Sequence, residues 1–368
     1  MSLPMALLPA LCPNIQTLGI LNNRPWVCSY SGGKDSTTLV TWIEMLRRIG
    51  LVTAPTPRLV LADTGIEYPF LGVIAADLMT LLRGRGWQCE VVKPPIQHRL
   101  YVRIFGIGTT PVHPGNKKMR WCTRGMKIDP MLRWAKSLDA DNIMLSGVRY
   151  GESRSRDEKL RKPQGCAAGG ECGLPEPRED VFGPIINWPT CRVLEWMRGK
   201  FSIQTDVIAD ILPLMARLYE VYEPREEQQA TMFGMPPKIT AMRFGCVGCP
   251  ALSGNDKVVK SRAGQTHQAW SHLLQIYSVW DQCYAFANRC VRVKEDGAAR
   301  PGPLRMEARQ RLYAEILSIQ EASGMLLVTD EEDAFIRQCW AEKRYPRGWS
   351  EADEAVEETG WLFAGTSG

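Results

Sequence analysis

The stretch Arg24-Pro-Trp-Val-Cys28-Ser-Tyr-Ser31-Gly32-Gly33-Lys34-Asp35-Ser36 limits the possible folds more than any other part of the chain. Residues up to Cys28 read as a short buried strand, and Thr37 to Arg48 place apolar residues at helical spacing. A strand, a glycine turn and a helix in that order build an anion site. The paired glycines let the backbone turn so that its N–H groups converge, and the free N–H groups opening the helix point the same way. Lys34 adds a full charge, and Ser31 and Ser36 add hydroxyl donors. The spacing is not that of a Walker A loop, which needs Gly-x4-Gly-Lys-Ser/Thr.

The same alternation continues. Arg58 to Ala62 reads as a second strand leading into Asp63-Thr64-Gly65, followed by a helix through about Arg83. Trp87 to Lys93 gives a third strand, stopped by Pro94-Pro95. Met126 to Leu138 is helical in pattern, Asp141 to Ser146 a fourth strand and Val181 to Ile186 a fifth. Strands separated by helices predict an α/β fold, a mostly parallel five-stranded sheet with helices on both faces. Ligands of such sheets bind at the carboxyl ends of the strands, where the glycine loop sits. Beyond residue 200 the pattern turns helical, with Leu304–Gln320 and Glu331–Glu342 as helices. The expected organisation is an α/β domain over 1–200 with a glycine- and proline-rich insertion at about 157–180, a helical region over 201–262 carrying Cys246-Val-Gly-Cys249, and a helical C-terminal region over 263–368.

No apolar run of 18 residues occurs, which argues against a helical membrane span. The apolar stretch Leu3 to Cys12 has no basic residue ahead of it and contains two prolines, so a secretory signal is not expected and the cytoplasm is the expected compartment. In that compartment twelve cysteines point to metal, cluster or redox chemistry at some of them rather than to disulfides. Cys12, Cys28, Cys89, Cys283, Cys290 and Cys339 lie in apolar patterns and read as core. The four histidines show no metal spacing. The net charge of +5 is unevenly spread: seven basic residues between Lys117 and Lys136 face only Asp129, and six between Gly147 and Lys162 face three acids. Such flanks beside a phosphate loop suit a polyanionic substrate, although a solvated helix face has the same pattern.

Ser31-Gly-Gly-Lys-Asp-Ser36 resembles the Ser-Gly-Gly-x-Asp-Ser signature of the PP-loop ATP pyrophosphatase superfamily. Gly147-Val-Arg149-Tyr-Gly-Glu152-Ser153 resembles the Gly-Val-Arg-x-x-Glu-Ser segment of its phosphoadenylylsulfate (PAPS) reductase branch, and Pro184-Ile-Ile-Asn-Trp188-Pro-Thr190 looks like that branch's Pro-Ile-x-x-Trp-Thr segment. Arg243-Phe-Gly-Cys246-Val-Gly-Cys249 is similar to the stretch holding part of a 4Fe-4S cluster in DndC-type DNA phosphorothioation sulfurtransferases. The resemblance spans roughly residues 24 to 262 and implies an adenine nucleotide alpha-hydrolase-like sheet.

The resemblance implies ATP with its phosphates on Ser31, Gly32, Gly33, Lys34, Asp35 and Ser36 and Mg2+ on the polyphosphate. Asp63, Thr64, Gly147 and Arg149 complete the implied nucleotide site. Lys34, Asp35 and Arg149 take the implied catalytic roles, Asp35 as a ligand of hydrated magnesium or a loop brace. Cys122, Cys246 and Cys249 are implied cluster ligands; the fourth is Cys191, placed first, or Cys166 or Cys172 of the insertion, or no residue if one iron stays open to bind sulfur. Cys166 and Cys172 are candidates for a persulfide relay, Cys172 placed first. A Zn2+ site of Cys166, Cys172, Cys246 and Cys249 is the metal alternative. The cysteine pair departs from the DndC-type pattern, because its flanks, Thr231–Phe244 and Pro250–Lys260, contain no further cysteine.

The implied activity is ATP-dependent sulfur transfer. An acceptor oxygen, that of a DNA backbone phosphate, is adenylated and replaced by sulfur, with a cysteine desulfurase as donor, other phosphorothioation subunits as partners and no membrane. The alternatives are an adenylylsulfate or phosphoadenylylsulfate reductase, a tRNA-thiolating enzyme and a cluster-bearing binding subunit. Reductases of this type carry their nucleophile in a C-terminal Glu-Cys-Gly motif followed by Leu or Ile and His, whereas Glu171-Cys172-Gly173-Leu174 lies mid-chain and precedes Pro175.

Overall fold

The computed structural model describes residues 15–53, 56–115, 120–138, 142–150, 181–222, 244–252, 259–260, 269–293 and 299–354. The insertion at 157–180, with Cys166 and Cys172, lies outside them, as do Lys117, Lys118 and Arg243. The chain divides into two interleaved units. The first comprises Met1–Asp63, Glu67–Val92 and Pro130–Phe244, and the second Thr64–Ile66, Lys93–Asp129 and Gly245–Gly368. Of the segment expected to stand apart at 201–262, residues up to 244 fall in the first unit and the rest in the second.

In the first unit, α1 (Ile15–Asn23) leads into β1 (Trp26–Tyr30), α2 (Lys34–Arg48), β2 (Arg58–Ala62), α3 (Pro69–Arg83) and β3 (Gln88–Val92). After α4 (Asp129–Lys136) come β4 (Ile143–Leu145), β5 (Val181–Phe182), α5 (Thr190–Met197), α6 (Ser202–Val207) and α7 (Leu212–Tyr222). The strands form one parallel sheet of order β3-β2-β1-β4-β5. The chain therefore runs outward from β1 to β3, returns to the other side of β1, and runs outward again.

Burial follows strand position. Central β1 buries Trp26, Val27, Cys28 and Tyr30, the near-continuous pattern of a strand covered on both faces, while edge strand β3 buries only Cys89. Helix α2 is enclosed on nearly all sides. Leu39, Val40, Trp42, Ile43, Met45 and Leu46 are fully buried, and Thr41 Oγ1 accepts a 2.9 Å hydrogen bond from Trp196 Nε1 of α5. The one buried carboxylate on α2, Glu44, is satisfied by Arg47, Arg48 and Trp87 Nε1 at 2.9, 2.8 and 2.7 Å.

The second unit is not purely helical. Besides α8 (Ile276–Tyr284), α9 (Met306–Ser323) and α10 (Asp330–Ala341), it contains an antiparallel pair, β6 (Arg289–Val293) and β7 (Ala299–Leu304). The C-terminal helices expected from the sequence are present, and this pair is an addition to them. Ala299-Arg-Pro-Gly-Pro-Leu304 does not read as a strand, because its two prolines give up ladder donors; a two-stranded ladder tolerates them on its open side. The unit's core stacks Tyr101, Phe105 and Trp280 at centroid separations of 6.1–6.3 Å, with Tyr313 against Phe105 at 5.8 Å. Helix α9 stops at Gly324 in the left-handed region, φ 63°, and α10 starts at a Thr329/Glu332 capping box. Among the described residues no helix is long and apolar enough to cross a membrane. Cys28, Cys89, Cys283, Cys290 and Cys339 are buried, as their apolar contexts predict.

Candidate functional site

The sheet order changes direction between β1 and β4, so the loops leaving their carboxyl ends diverge, the place where open α/β sheets bind ligands. From β1 the chain enters Ser31 to Ser36. Gly32 turns it with φ 69°, and Gly33 caps α2 in an extended conformation with no side-chain capping bond. The first N–H groups of α2 have no carbonyl four residues back within the helix, and its dipole favours an anion there. Ser36 Oγ braces the turn, donating to Gly33 O at 3.1 Å, accepting from Ser31 N at 3.2 Å and lying 3.0 Å from Ser31 Oγ.

From β4 the chain enters Ser146 to Tyr150, and Gly147 presses against the first loop. A Cβ there would lie 2.9 Å from Asp35 C, Asp35 O and Ser36 N. Glycine is required by this backbone-to-backbone approach. It brings Arg149, 1% exposed, beside Asp35, so that Arg149 Nε donates to Asp35 Oδ1 at 2.6 Å while Nη1 donates to Trp188 O at 2.7 Å. The other Asp35 oxygen accepts from Lys34 Nζ at 2.5 Å. One carboxylate thus holds two cations against the loop.

Tyr222, at the end of α7, is a part of the site that sequence reasoning missed. Lys34 Nζ stands 5.7 Å from its ring centre, and its hydroxyl would lie 3.3 Å from a Cβ on Gly33. Burial pushes the Tyr222 hydroxyl far above its ordinary pKa, with the Lys34 backbone N–H pulling the other way. The ring packs edge-on against Phe244, 4.6 Å between centroids, and Phe244 meets Tyr68 and Phe70. Nothing local marks Tyr222 as functional; only the path of α7 brings it there.

A polyphosphate fits this cradle, given the open helix start, two adjacent cations and hydroxyl donors. Both Asp35 oxygens accept from cations here; magnesium on a polyphosphate in this cradle would be held by phosphate oxygens and water, with Asp35 beside it. Asp63 follows β2 in the first unit, with its N–H bonded to Val92 O at 2.9 Å, while Thr64, buried, opens the second unit's first segment.

Among the described residues, no group of three or more His, Cys, Asp or Glu side chains is placed to hold a metal ion. Cys122, on the short helix Trp121–Thr123, and Cys246 and Cys249 are half-buried in the second unit; Cys191 is exposed on the first turn of α5 in the first. The Cys246–Cys249 turn itself is tightly built. Val247 N donates to Ile66 O at 2.8 Å, Trp280 Nε1 donates to Gly248 O at 2.7 Å, and Gly248 has φ 58°.

Fold and loop together define the class, a parallel α/β domain with a glycine-loop anion cradle at its strand-order switch. Residues 25–201 match the phosphoadenosine phosphosulfate reductase domain family. Among solved structures the chain is similar to the crystal structure of phosphoadenylyl-sulfate (PAPS) reductase from Candida auris in a phosphate complex, at 14% identity and a TM-score of 0.32, covering 54% of this chain and 88% of that one. No curated protein matches the chain.

Proposed function

We propose that this chain is an ATP-dependent sulfurtransferase whose acceptor is a DNA backbone phosphate. The observation that supports it is the cation pair Lys34 and Arg149, fixed on Asp35 beside an open helix N-terminus at the sheet switch. In this reading the polyphosphate of ATP lies on Ser31 to Ser36. The acceptor oxygen attacks the α-phosphorus and pyrophosphate leaves; sulfur then attacks the acceptor phosphorus, and AMP leaves carrying the adenylated oxygen. Lys34 and Arg149 neutralise charge as it moves onto pyrophosphate, and their fixed placement supplies the electrostatic stabilisation such transfers need. Magnesium on the polyphosphate would share that neutralisation. Sulfur would come from a cysteine desulfurase as a persulfide on Cys172, a second thiol cleaving the S–S bond and forming a disulfide with Cys172 as the sulfur passes to phosphorus, and the basic segments at Lys117–Lys136 and Arg149–Lys162 would follow the DNA backbone, with other phosphorothioation subunits as partners.

A second reading, reduction of adenylylsulfate or its 3′-phosphorylated form, is favoured by the description of the matching domain family. One experiment separates the two. Pyrophosphate release from ATP is compared with sulfite release from adenylylsulfate, each with and without DNA. Pyrophosphate release stimulated by DNA and lowered about 100-fold or more by Lys34→Ala is expected. Sulfite release alone would overturn the sulfurtransferase reading.

A further inference from the structure

The motif Arg120-Trp121-Cys122-Thr-Arg124 lines a cavity that lies wholly within the second unit. The cavity measures about 990 Å³, and its walls include Thr110, His113, Trp121, Tyr284 and Arg289. That volume is at the upper end of those that take drug-sized or nucleotide-sized ligands. Its charge is unbalanced. Arg120, Arg124 and Arg289 line it, Arg103 lies behind Trp121, and among the described residues only Arg124 has a carboxylate within 4.0 Å, Asp129 at 3.5 Å.

Arg289 is the most telling of the four. It is half-buried and donates to Gly302 O at 2.8 Å, Thr110 Oγ1 at 3.2 Å and Pro301 O at 3.2 Å, all neutral acceptors. Burial lowers its pKa. A half-buried guanidinium held in place by three hydrogen bonds to neutral acceptors, with no carboxylate beside it among the described residues, suits a charged guest.

The other wall is aromatic. Trp121 is pinned by its Nε1 donating to Thr110 O at 3.2 Å, and the Arg103 guanidinium covers one face, 4.7 Å from the ring centre. Tyr284 is fixed by its hydroxyl donating to Val112 O at 2.9 Å, with His113 edge-on at 4.7 Å. A rigid indole beside three arginines matches a planar base carrying phosphate. A simple anion would leave the aromatic wall unused, and an apolar ligand would leave the arginines unpaired.

We propose that this cavity binds a nucleoside phosphate, with its base on Trp121 and its phosphate on Arg120, Arg124 and Arg289. The chemistry is shared by a free nucleotide and by single-stranded DNA. The DNA source deepens the acceptor reading given above and rests on it; the free-nucleotide source does not.

The test uses the full chain and fluorescence anisotropy of a labelled ten-residue thymidine oligonucleotide, with an abasic oligonucleotide of equal length and unlabelled AMP as competitor. Binding is expected to weaken about tenfold in Trp121→Ala, to be largely retained in Trp121→Phe, and to weaken in Arg120→Ala, an exposed change that leaves the fold intact. A weak abasic ligand with poor displacement by AMP identifies DNA as the source. Displacement by AMP at concentrations similar to those of the oligonucleotide identifies a free nucleotide. Equal binding of the abasic and thymidine strands, or undiminished binding in both Trp121→Ala and Arg120→Ala, would overturn the proposal. Pyrophosphate release measured on the same variants separates its failure from failure of the ATP reading, since Lys34 lies in the other unit.

Discussion

Replacing Gly147 with alanine tests the contact on which the candidate site is built. The new Cβ would meet Asp35 C, Asp35 O and Ser36 N at 2.9 Å, where ordinary contact begins at 3.4 Å, so the two loops must separate by about 0.5 Å. Every atom it meets is backbone in the first turn of α2, and no flexible side chain can yield instead. Overpacking of this kind costs about 1–3 kcal/mol. The displacement moves Asp35, and with it the seats of Lys34 and Arg149, so ATP should bind about tenfold or more weakly, equivalent to about 1.4 kcal/mol. Thermal unfolding and titration calorimetry with ATP measure the two effects. Gly19→Ala is the control, because nothing lies within 4 Å of its added Cβ and alanine in a helix gains about 0.5–1 kcal/mol over glycine. A Gly147→Ala chain with wild-type unfolding temperature and wild-type ATP affinity would refute the reasoning.

Gly248→Ala should destabilise the second unit by about 1–3 kcal/mol, since φ is 58° and the new Cβ would lie 2.8 Å from Ile276 Cδ1; chemical denaturation measures it. Thr329→Ala removes the side chain that accepts from Glu332 N at 3.3 Å at the start of α10 and should cost about 1 kcal/mol, read as a lowered denaturation midpoint. Asp353 carries the pH dependence. Its hydrogen bonds with Arg292 first, and with Ser350, hold its pKa at about 2, below the ordinary carboxylate value. That contribution is present above the unfolded pKa and is lost as pH falls toward about 2, so Arg292→Gln should destabilise the chain at neutral pH and narrow the wild-type difference in acid. An unchanged gap between the two proteins from neutral pH down to about 2 would contradict the assignment.

Much of the first unit was legible in the sequence because its information is local. The near-continuous burial of Trp26 to Tyr30, the paired glycines at 32 and 33 and the helical spacing after Ser36 specify strand, turn and helix without long-range help. The five-strand parallel sheet follows from the alternation of strands and helices. The hairpin at 289–304 was hidden because its prolines suppress strand propensity, and only tertiary pairing overrides it.

The sequence by itself determined which residues carry the site's charge and hydroxyl groups. Tertiary structure decided how they meet. Asp35 and Arg149, 114 positions apart, pair because β1 and β4 are neighbours across the sheet switch, and Tyr222 reaches the loop because α7 returns to it. The cysteines show the opposite relation. Cys246-Val-Gly-Cys249 is recognisable as a motif, yet ligand geometry depends on where distant segments come to rest, and among the described residues no group of three or more His, Cys, Asp or Glu side chains is placed to hold a metal ion. Local pattern is written in neighbouring residues; convergence of distant side chains is a property of the packed chain alone.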